Sequence, residues 1–314
     1  MTYLKEIWTK CDQLAKKEGG LRVTKLLDFI IAHFKHGVYT AQYFDTNFHT
    51  LKNQYRKDII TYGPWCKFVD QLSDRKSIHY LQNKIDFNIK FADFIHRKWT
   101  TNKNLTLTEF EAFCKDITEI IIKPIDSWEG AGVNKYIIAE SDLNNIYKTL
   151  STGSFIIEEC IKNEESLQLS KSLNTIRVTT LLDKDGQIHY IKPFLRAGVG
   201  NSVVDNYNAG GVEYEIDPET GIIFGKGFHN GKCTCTYHPQ TQVLMPGFKI
   251  PRWSEVLNTV ASAHKLIPEC RYIGWDVAIT PSAIELIEGN HDAGYFGFEY
   301  FGTTGWYKII KTCL

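Results

Sequence analysis

Asp276, Glu288 and Asn290 are the residues whose types and spacing most invite chemistry, and all three lie in RYIGWDVAITPSAIELIEGN, residues 271–290. Two apolar runs, Tyr272 to Ile279 and Ala283 to Ile287, flank Thr280-Pro281-Ser282, the composition of two strands joined by a tight turn. With Pro281 to Ala283 as the connection, Asp276 stands across from Glu288. Asn290 shares the face of Glu288, because side chains alternate with period two. Two carboxylates and an amide oxygen at the end of an apolar hairpin suit a hard divalent cation such as Mg²⁺; the alternative is a polar hairpin end facing water.

A second group is cationic. Ile120 to Ile122 is β-branched and predicts a buried strand ending at Lys123-Pro124, followed by Ser127-Trp128-Glu129-Gly130-Ala131-Gly132-Val133 and a further strand, Lys135 to Ala139. A strand lysine followed by a glycine loop suits a triphosphate, pairing one fixed cation with backbone N–H donors. It is not a Walker A sequence, since the lysine precedes the glycines; a glycine-containing hairpin turn reads the same way. Ser154 to Ile161 is an apolar strand ending in acids. Either backbone groups at Glu159 to Ile161 meet an adenine edge and one of Glu158, Glu159, Glu164 or Glu165 a ribose, or the strand simply emerges into a charged loop.

These groups need elements to hold them. Residues 1–80 predict a helical domain: Leu4, Ile7, Trp8, Cys11, Leu14 and Ala15 recur at helical spacing, Gly19-Gly20 interrupts, and Leu26, Leu27, Ile30, Ile31 and Phe34 resume. From Leu81 a second lobe is expected to run to residue 160, with a helix-like pattern after Lys84 and a capping box at Thr106 and Glu109. A third, residues 161–314, carries paired strands Asn174 to Leu182 and His189 to Arg196, with Arg177 and Arg196 as unusual cations in β-runs. It continues through the Gly/Asn-rich loop 198–211, a strand pair turning at Asp217 to Gly221, and a helix from Ser254, its cap, to Ile267. His264 on that helix reads as structural.

Composition narrows the class. Among 314 residues, 43% are hydrophobic and 23% charged, ordinary globular usage. Lys plus Arg equals Asp plus Glu at 36 each, so net charge gives no support to a nucleic-acid partner. Residues 51–103 hold eleven Lys/Arg against five Asp/Glu, a solvated face or a site for an anionic partner. The start, MTYLKEIWTKCDQ, has no apolar core of signal-peptide length, and the expected location is cytoplasmic. Eight scattered cysteines are expected to be reduced thiols.

Taken in order, Lys84, IIIKP, IIEECI, SLNTIRVTTLL, NSVVDNYNAGGVEYEIDPETG, HPQT, GFKIPRW and YIGWDVAITPSAIELIEGN make the chain resemble the ATP-grasp superfamily. More narrowly it resembles the sugar-transfer-associated ATP-grasp family of surface-polysaccharide biosynthesis, over about residues 84–290. It departs from the usual phosphate-loop pattern at Trp128-Glu129, where small or polar residues are the rule.

The resemblance implies an α+β fold, two lobes gripping ATP, behind a small helical N-terminal domain. It implies that Lys84, Lys123 and the loop Ser127, Gly130, Ala131, Gly132 and Val133 contact ATP phosphates. Glu158, Glu159, Cys160 and Ile161 would form the adenine hinge, with a nearby glutamate, Glu164 among them, on the ribose. Asp276, Glu288 and Asn290 would hold two Mg²⁺ ions, with Mn²⁺ as a substitute, and Arg177 and Arg196 would stabilise the transferred phosphoryl group. Asn206, Gly210, Gly211, His238 and Lys249, with Tyr207, fall in stretches expected near the acceptor. The implied chemistry is ligation of a small-molecule carboxylate, a sugar acid or amino acid, to an amine through an acyl phosphate, in association with membrane-surface polysaccharide machinery. A nucleotide-binding accessory module and a kinase that needs no amine are the rival readings.

Overall fold

A computed structural model describes residues 2–45, 48–126, 132–200, 210–229, 232–294 and 306–313. The chain opens with α1 (Thr2–Glu18) and α2 (Arg22–His36), which pack against each other and against α3 (Thr40–Asp45). Ile7, Cys11, Leu14, Phe29, Ala32 and Tyr43 form their shared core. The periodic residues of α2 do not all face inward: Leu27, Ile31 and Phe34 are exposed, while Phe29 and Ala32 are buried. That helix is apolar on two sides, so periodicity alone picked the wrong one. Short helices α4 (Asn53–Arg56), α5 (Tyr62–Leu72) and α6 (His79–Gln82) lead to α7 (Lys84–Lys90), whose Asn83 cap accepts from the Ile85 and Asp86 N–H groups.

A four-stranded antiparallel sheet follows, in the order β1 (Trp99–Thr101), β4 (Phe155–Glu159), β2 (Glu119–Pro124), β3 (Asn134–Ile137). Helices α8 (Leu107–Cys114) and α9 (Leu143–Thr149) cover it around Phe110, Ile120, Ile122, Ile146 and Ile157. The predicted capping box is present, Thr106 accepting from the Glu109 N–H and Glu109 from the Thr106 N–H. Strand β3 stops at Ile137, two residues short of the predicted end, because the chain turns into a 3₁₀ segment.

The larger sheet has seven strands. Its order is β11 (Ile284–Asn290), β10 (Tyr272–Ile279), β5 (Thr175–Leu182), β6 (Ile188–Ala197), β7 (Val212–Glu215), β8 (Gly227–His229), β9 (Lys232–Cys235). Trp275, Val277, Ile176, Val178 and Leu195 pack beneath α10 (Trp253–His264), with Phe91, just past α7, edge-on to Trp275 and Phe87 of α7 against Phe91. The helix α10 begins one residue before the predicted Ser254 cap: Arg252 takes a left-handed conformation (φ 50°), its side chain bonds Glu255, and buried Trp253 donates to the Pro218 carbonyl. His264 is buried, its ring hydrogen-bonded to Thr180. The chain closes with α11 (Trp306–Cys313). No helix among the described residues is long and apolar enough to cross a membrane.

Candidate active site

The hairpin β10–β11 sets Asp276 opposite Glu288, as its sequence predicts, but by a different route. Ile279 pairs with Ile284, so the connection is the four residues Thr280 to Ala283, closed by Thr280 N–H to the Ala283 carbonyl at 2.9 Å. This longer turn would offset the pairing, and a β-bulge at Ile287 restores it below Asp276. Asn290 donates to Glu288 Oε1 at 3.2 Å, so the three oxygen-bearing side chains stand together.

Across β10 lies β5, whose Arg177 is the direct partner of Asp276. Its Nε donates to Asp276 Oδ1 at 2.5 Å and its Nη2 to Oδ2 at 3.0 Å, a two-pronged pair. From β6, Arg196 Nη1 reaches the same Oδ2 at 2.9 Å. Gly274 makes room for this: a Cβ there would lie 2.3 Å from the Ala293 Cβ and 3.2 Å from the Arg177 Cδ. Burial would raise the Asp276 pKa, but the charges of Arg177 and Arg196 outweigh it and hold the carboxyl well below the usual range. Glu288 differs. Crowding by protein atoms, then the charge of Asp276, pushes it up to about 6. Its side chain still meets solvent, which places it in an open recess rather than a sealed core.

The cationic groups come from the smaller sheet and α7. Lys123 on β2 pairs with Glu158 of β4, Nζ to Oε2 at 2.5 Å. Lys84, in the first turn of α7, where the helix dipole disfavours a cation, donates to the Ile125 carbonyl at 3.1 Å. Burial lowers its pKa, and Glu288, Lys123, Glu158 and Asp126 all lie within electrostatic reach of it. The structure therefore brings both predicted lysines to one neighbourhood with the predicted carboxylate Glu288.

Other predicted residues are placed differently. The carboxylate of Glu158, expected at the adenine hinge, is buried and bonded to Lys123, Arg97 and Asn88. The Glu159 N–H donates to the Lys98 carbonyl and the Cys160 N–H to the Glu119 carbonyl, each at 2.9 Å, so these two hinge donors serve the sheet. The Ile161 N–H makes no hydrogen bond among the described residues. Glu159 Oε2 accepts from the Lys98 N–H, and Glu164 accepts from Ser166 while its own N–H reaches the Ile279 carbonyl.

In the expected acceptor region, His238 is buried and hydrogen-bonded to Thr241 and the Gly198 carbonyl, so it clamps two loops together and presents no ring atom outward. Lys249 is exposed on a bridge to Ile222, and the Gly211 carbonyl meets the His229 ring at 3.3 Å. Gly210 and Gly132 take left-handed conformations, and a Cβ on Gly132 would lie 2.9 Å from Pro124. Val133 follows Gly132 into β3. Ser127, Gly130, Ala131, Asn206 and Tyr207 lie outside the described residues. A cavity of about 920 Å³ between α1 and α2 contains none of the predicted site residues.

Sequence reasoning missed Arg97, Asn88 and Glu285. Arg97 donates to Glu158 Oε1 (2.9 Å), Glu285 Oε1 (2.8 Å) and the Leu286 carbonyl (2.7 Å). A signal existed in Glu285, an acid inside the apolar run IELI, at a position whose neighbours Ile284 and Leu286 are core residues. Arg97 sat in HRKW, which reads as part of a solvated basic face.

Comparison with solved structures gives a match to N5-carboxyaminoimidazole ribonucleotide synthetase in its ADP complex, at 8% identity and TM-score 0.52, over 83% of this chain and 62% of that one. The ATP-grasp ligase PsnB with its minimal precursor matches at 15% identity and TM-score 0.48, over 77% and 61%. D-alanyl-alanine synthetase A from Vibrio cholerae O1 biovar eltor matches at 12% and 0.47, over 74% and 64%. The chain thus spans about three fifths of the length of these proteins. No curated protein matches it. The first of these likenesses supports the two-lobed α+β fold, and the family model of sugar-transfer associated ATP-grasp proteins matches residues 66–311: the chain belongs to that family.

Proposed function

We propose that this chain is an ATP- and Mg²⁺-dependent carboxylate–amine ligase acting on a sugar acid or amino acid in surface-polysaccharide biosynthesis. The observation that carries the reading is the convergence of Lys84 and Lys123 from one side with Glu288, Asp276 and Asn290 from the other, in a chain of the ATP-grasp family. Such a reaction makes an acyl phosphate and ADP from ATP and a carboxylate, after which an amine attacks the acyl carbon and phosphate leaves. It needs positioning and charge neutralisation rather than a protein nucleophile.

The donor set fits the metal. Two facing carboxylates and an amide are all oxygen donors, with Asn290 3.2 Å from Glu288 Oε1. Asp276, Glu288 and Asn290 would hold Mg²⁺, which neutralises phosphate charge when bound. Lys84 and Lys123 would contact phosphates; Lys123 exchanges Glu158 for a phosphate oxygen without leaving its strand. Arg177 and Arg196, already aimed at Asp276, would share their remaining N–H groups with the transferred phosphoryl group. The Ile161 N–H, unlike those of Glu159 and Cys160, is left to bind an adenine edge.

The test is ADP release and product mass across uronic acids and amino acids paired with candidate amines. Sustained ADP release is expected only with Mg²⁺, acid and amine together, acid alone giving at most about one ADP per active site, and chelation should stop it. Glu288→Gln should abolish turnover while the far-ultraviolet circular dichroism stays that of the parent; full turnover in that variant would sink the proposal. Turnover that ignores the amine would make the chain a kinase instead.

A further inference from the structure

We infer that Arg97 is a positioning residue for nucleotide binding: it takes up the charge of Glu158 and ties the two sheets together, so that Lys123 can be shared with a phosphate. The inference rests on the reading of Lys123 as a phosphate contact.

Arg97 belongs to neither sheet, yet it bonds both. Toward the four-stranded sheet its Nε donates to Glu158 Oε1 at 2.9 Å. Toward the seven-stranded sheet its Nη1 donates to Glu285 Oε1 at 2.8 Å and to the Leu286 carbonyl at 2.7 Å, while its backbone N–H reaches Glu285 Oε1 at 3.1 Å. Glu285 and Leu286 lie on β11, the strand that carries Glu288. Arg97, Glu158 and Glu285 are respectively 6%, 2% and 1% exposed, so the junction is dry.

Dry ion pairs of this kind seldom stabilise a fold better than apolar side chains of the same volume, and this one holds atoms of both sheets at hydrogen-bond distance from one guanidinium. Each lobe already has its own apolar cluster: Phe110, Ile120 and Ile157 in one, Trp275, Val277 and Leu286 in the other. The Arg97 junction is therefore a connection between two cores rather than part of either.

Glu158 explains why the connection concerns Lys123. Its two oxygens are divided, Oε1 to Arg97 and Asn88, Oε2 to Lys123. With Arg97 present, Lys123 answers only part of the Glu158 charge. Without it, Lys123 is the ion-pair partner left to Glu158 beside the neutral Asn88, and a phosphate must compete against nearly the whole charge of a buried carboxylate.

Two measurements on the full chain test this. The first is the affinity for ATP with Mg²⁺ by calorimetry in a cycle of Arg97→Met, Lys123→Met and the double variant. Arg97→Met should weaken binding about 10- to 100-fold, the range expected when a charged hydrogen bond is lost. The double variant should bind no more weakly than Lys123→Met, because Arg97 acts through that lysine; additive losses would overturn the inference. The second needs no nucleotide: labelling of Lys123 by an amine-reactive reagent, followed by mass spectrometry. Arg97→Met should slow labelling at Lys123 and leave exposed Lys184 unchanged. Unchanged Lys123 labelling overturns the inference, even where the parent chain fails to bind ATP, a failure that would count against the proposed function instead. Should Arg97→Met not fold, Arg97→Lys, which keeps the charge but not the fork, carries both measurements, with smaller losses in the same direction; parental affinity and labelling in that variant would overturn the inference.

Discussion

Two charged clusters lie in this molecule, of similar composition and opposite electrostatic outcome. In one, Asp276 and Glu288 face Arg177 and Arg196; in the other, Glu158 and Glu285 face Arg97 and Lys123. Each has two acids and two Lys/Arg cations, and in the second the His96 ring also meets Glu285 Oε2 at 3.0 Å. In the first, both arginines converge on Asp276, so that carboxyl is held well below the usual range while Glu288 is pushed up to about 6. In the second, the cations are spread over both acids, and Glu158 is held low although it is buried. Distribution rather than count decides which cluster has room for another cation. In the uneven cluster the arginines are taken up by Asp276, and neither pairs directly with Glu288; in the even one each acid has an ion-pair partner of its own.

The largest expected effect that sharpens this contrast comes from Asp276→Asn. It leaves two arginines facing a neutral amide, Arg177 being 6% exposed, and breaking a buried pair from one side costs about 3–5 kcal/mol. Urea unfolding of the ligand-free chain measures it. A loss below about 1 kcal/mol, on the scale of an exposed pair, would show that water compensates the arginines and that the cluster is not the rigid platform described.

Glu158→Gln should cost less, about 1–3 kcal/mol by the same unfolding measurement. Arg97 keeps Glu285 and the Leu286 carbonyl, and Lys123, whose side chain is 19% exposed, can turn toward water. A cost equal to that of Asp276→Asn would break the comparison, for it would mean that the second cluster depends on a single acid as heavily as the first.

The two clusters also differ in how far the sequence reveals them. The first is built within one sheet: period-two alternation and hairpin register bring Asp276 to Glu288 from one stretch of sequence, while Arg177, 99 positions from Asp276, joins through the β5–β10 pairing, which no local pattern shows. The turn is one residue longer than its composition predicts, and the bulge at Ile287 returns the register. The second draws Asn88 from a helix, Arg97 from a connecting segment, Lys123 and Glu158 from one sheet and Glu285 from the other. No local period links those positions, so Arg97 read as one more surface cation and Glu158 as a strand-end acid. The same limit applies to α2, where a helix with two apolar sides gives no local sign of which side the neighbours cover. The α+β organisation and the capping box at Thr106 were legible because each depends on residues a few positions apart.

His264 offers the smallest test, and a third way to bury a titratable group: keep it neutral. Burial lowers its pKa from 6.5 to about 4, with Thr180 Oγ1 bonded to its ring and Trp275 beside it. In the unfolded chain the imidazole takes a proton near pH 6.5, so its contribution to stability is complete above that pH and is lost as pH falls toward 4. The slope is at most about 1.4 kcal/mol per pH unit. Glu288 works in the opposite sense: its folded pKa, about 6, lies above the ordinary 4.5, so acidification through that window favours the folded state. The parent's unfolding free energy between pH 7 and 5 therefore mixes opposed slopes, with His36 and His238, both lowered by burial, on the side of His264 and Glu215, raised by burial, on the side of Glu288, whereas Asp276 and Glu158, both held well below the usual range, stay ionised throughout. Subtracting the curve of His264→Gln isolates the histidine. The difference should shrink steadily as pH falls from about 6.5 to 5; a difference independent of pH would show that His264 accepts a proton in the folded chain as readily as in the unfolded one, and that the interior beneath Trp275 tolerates a charge that both ion clusters had to neutralise.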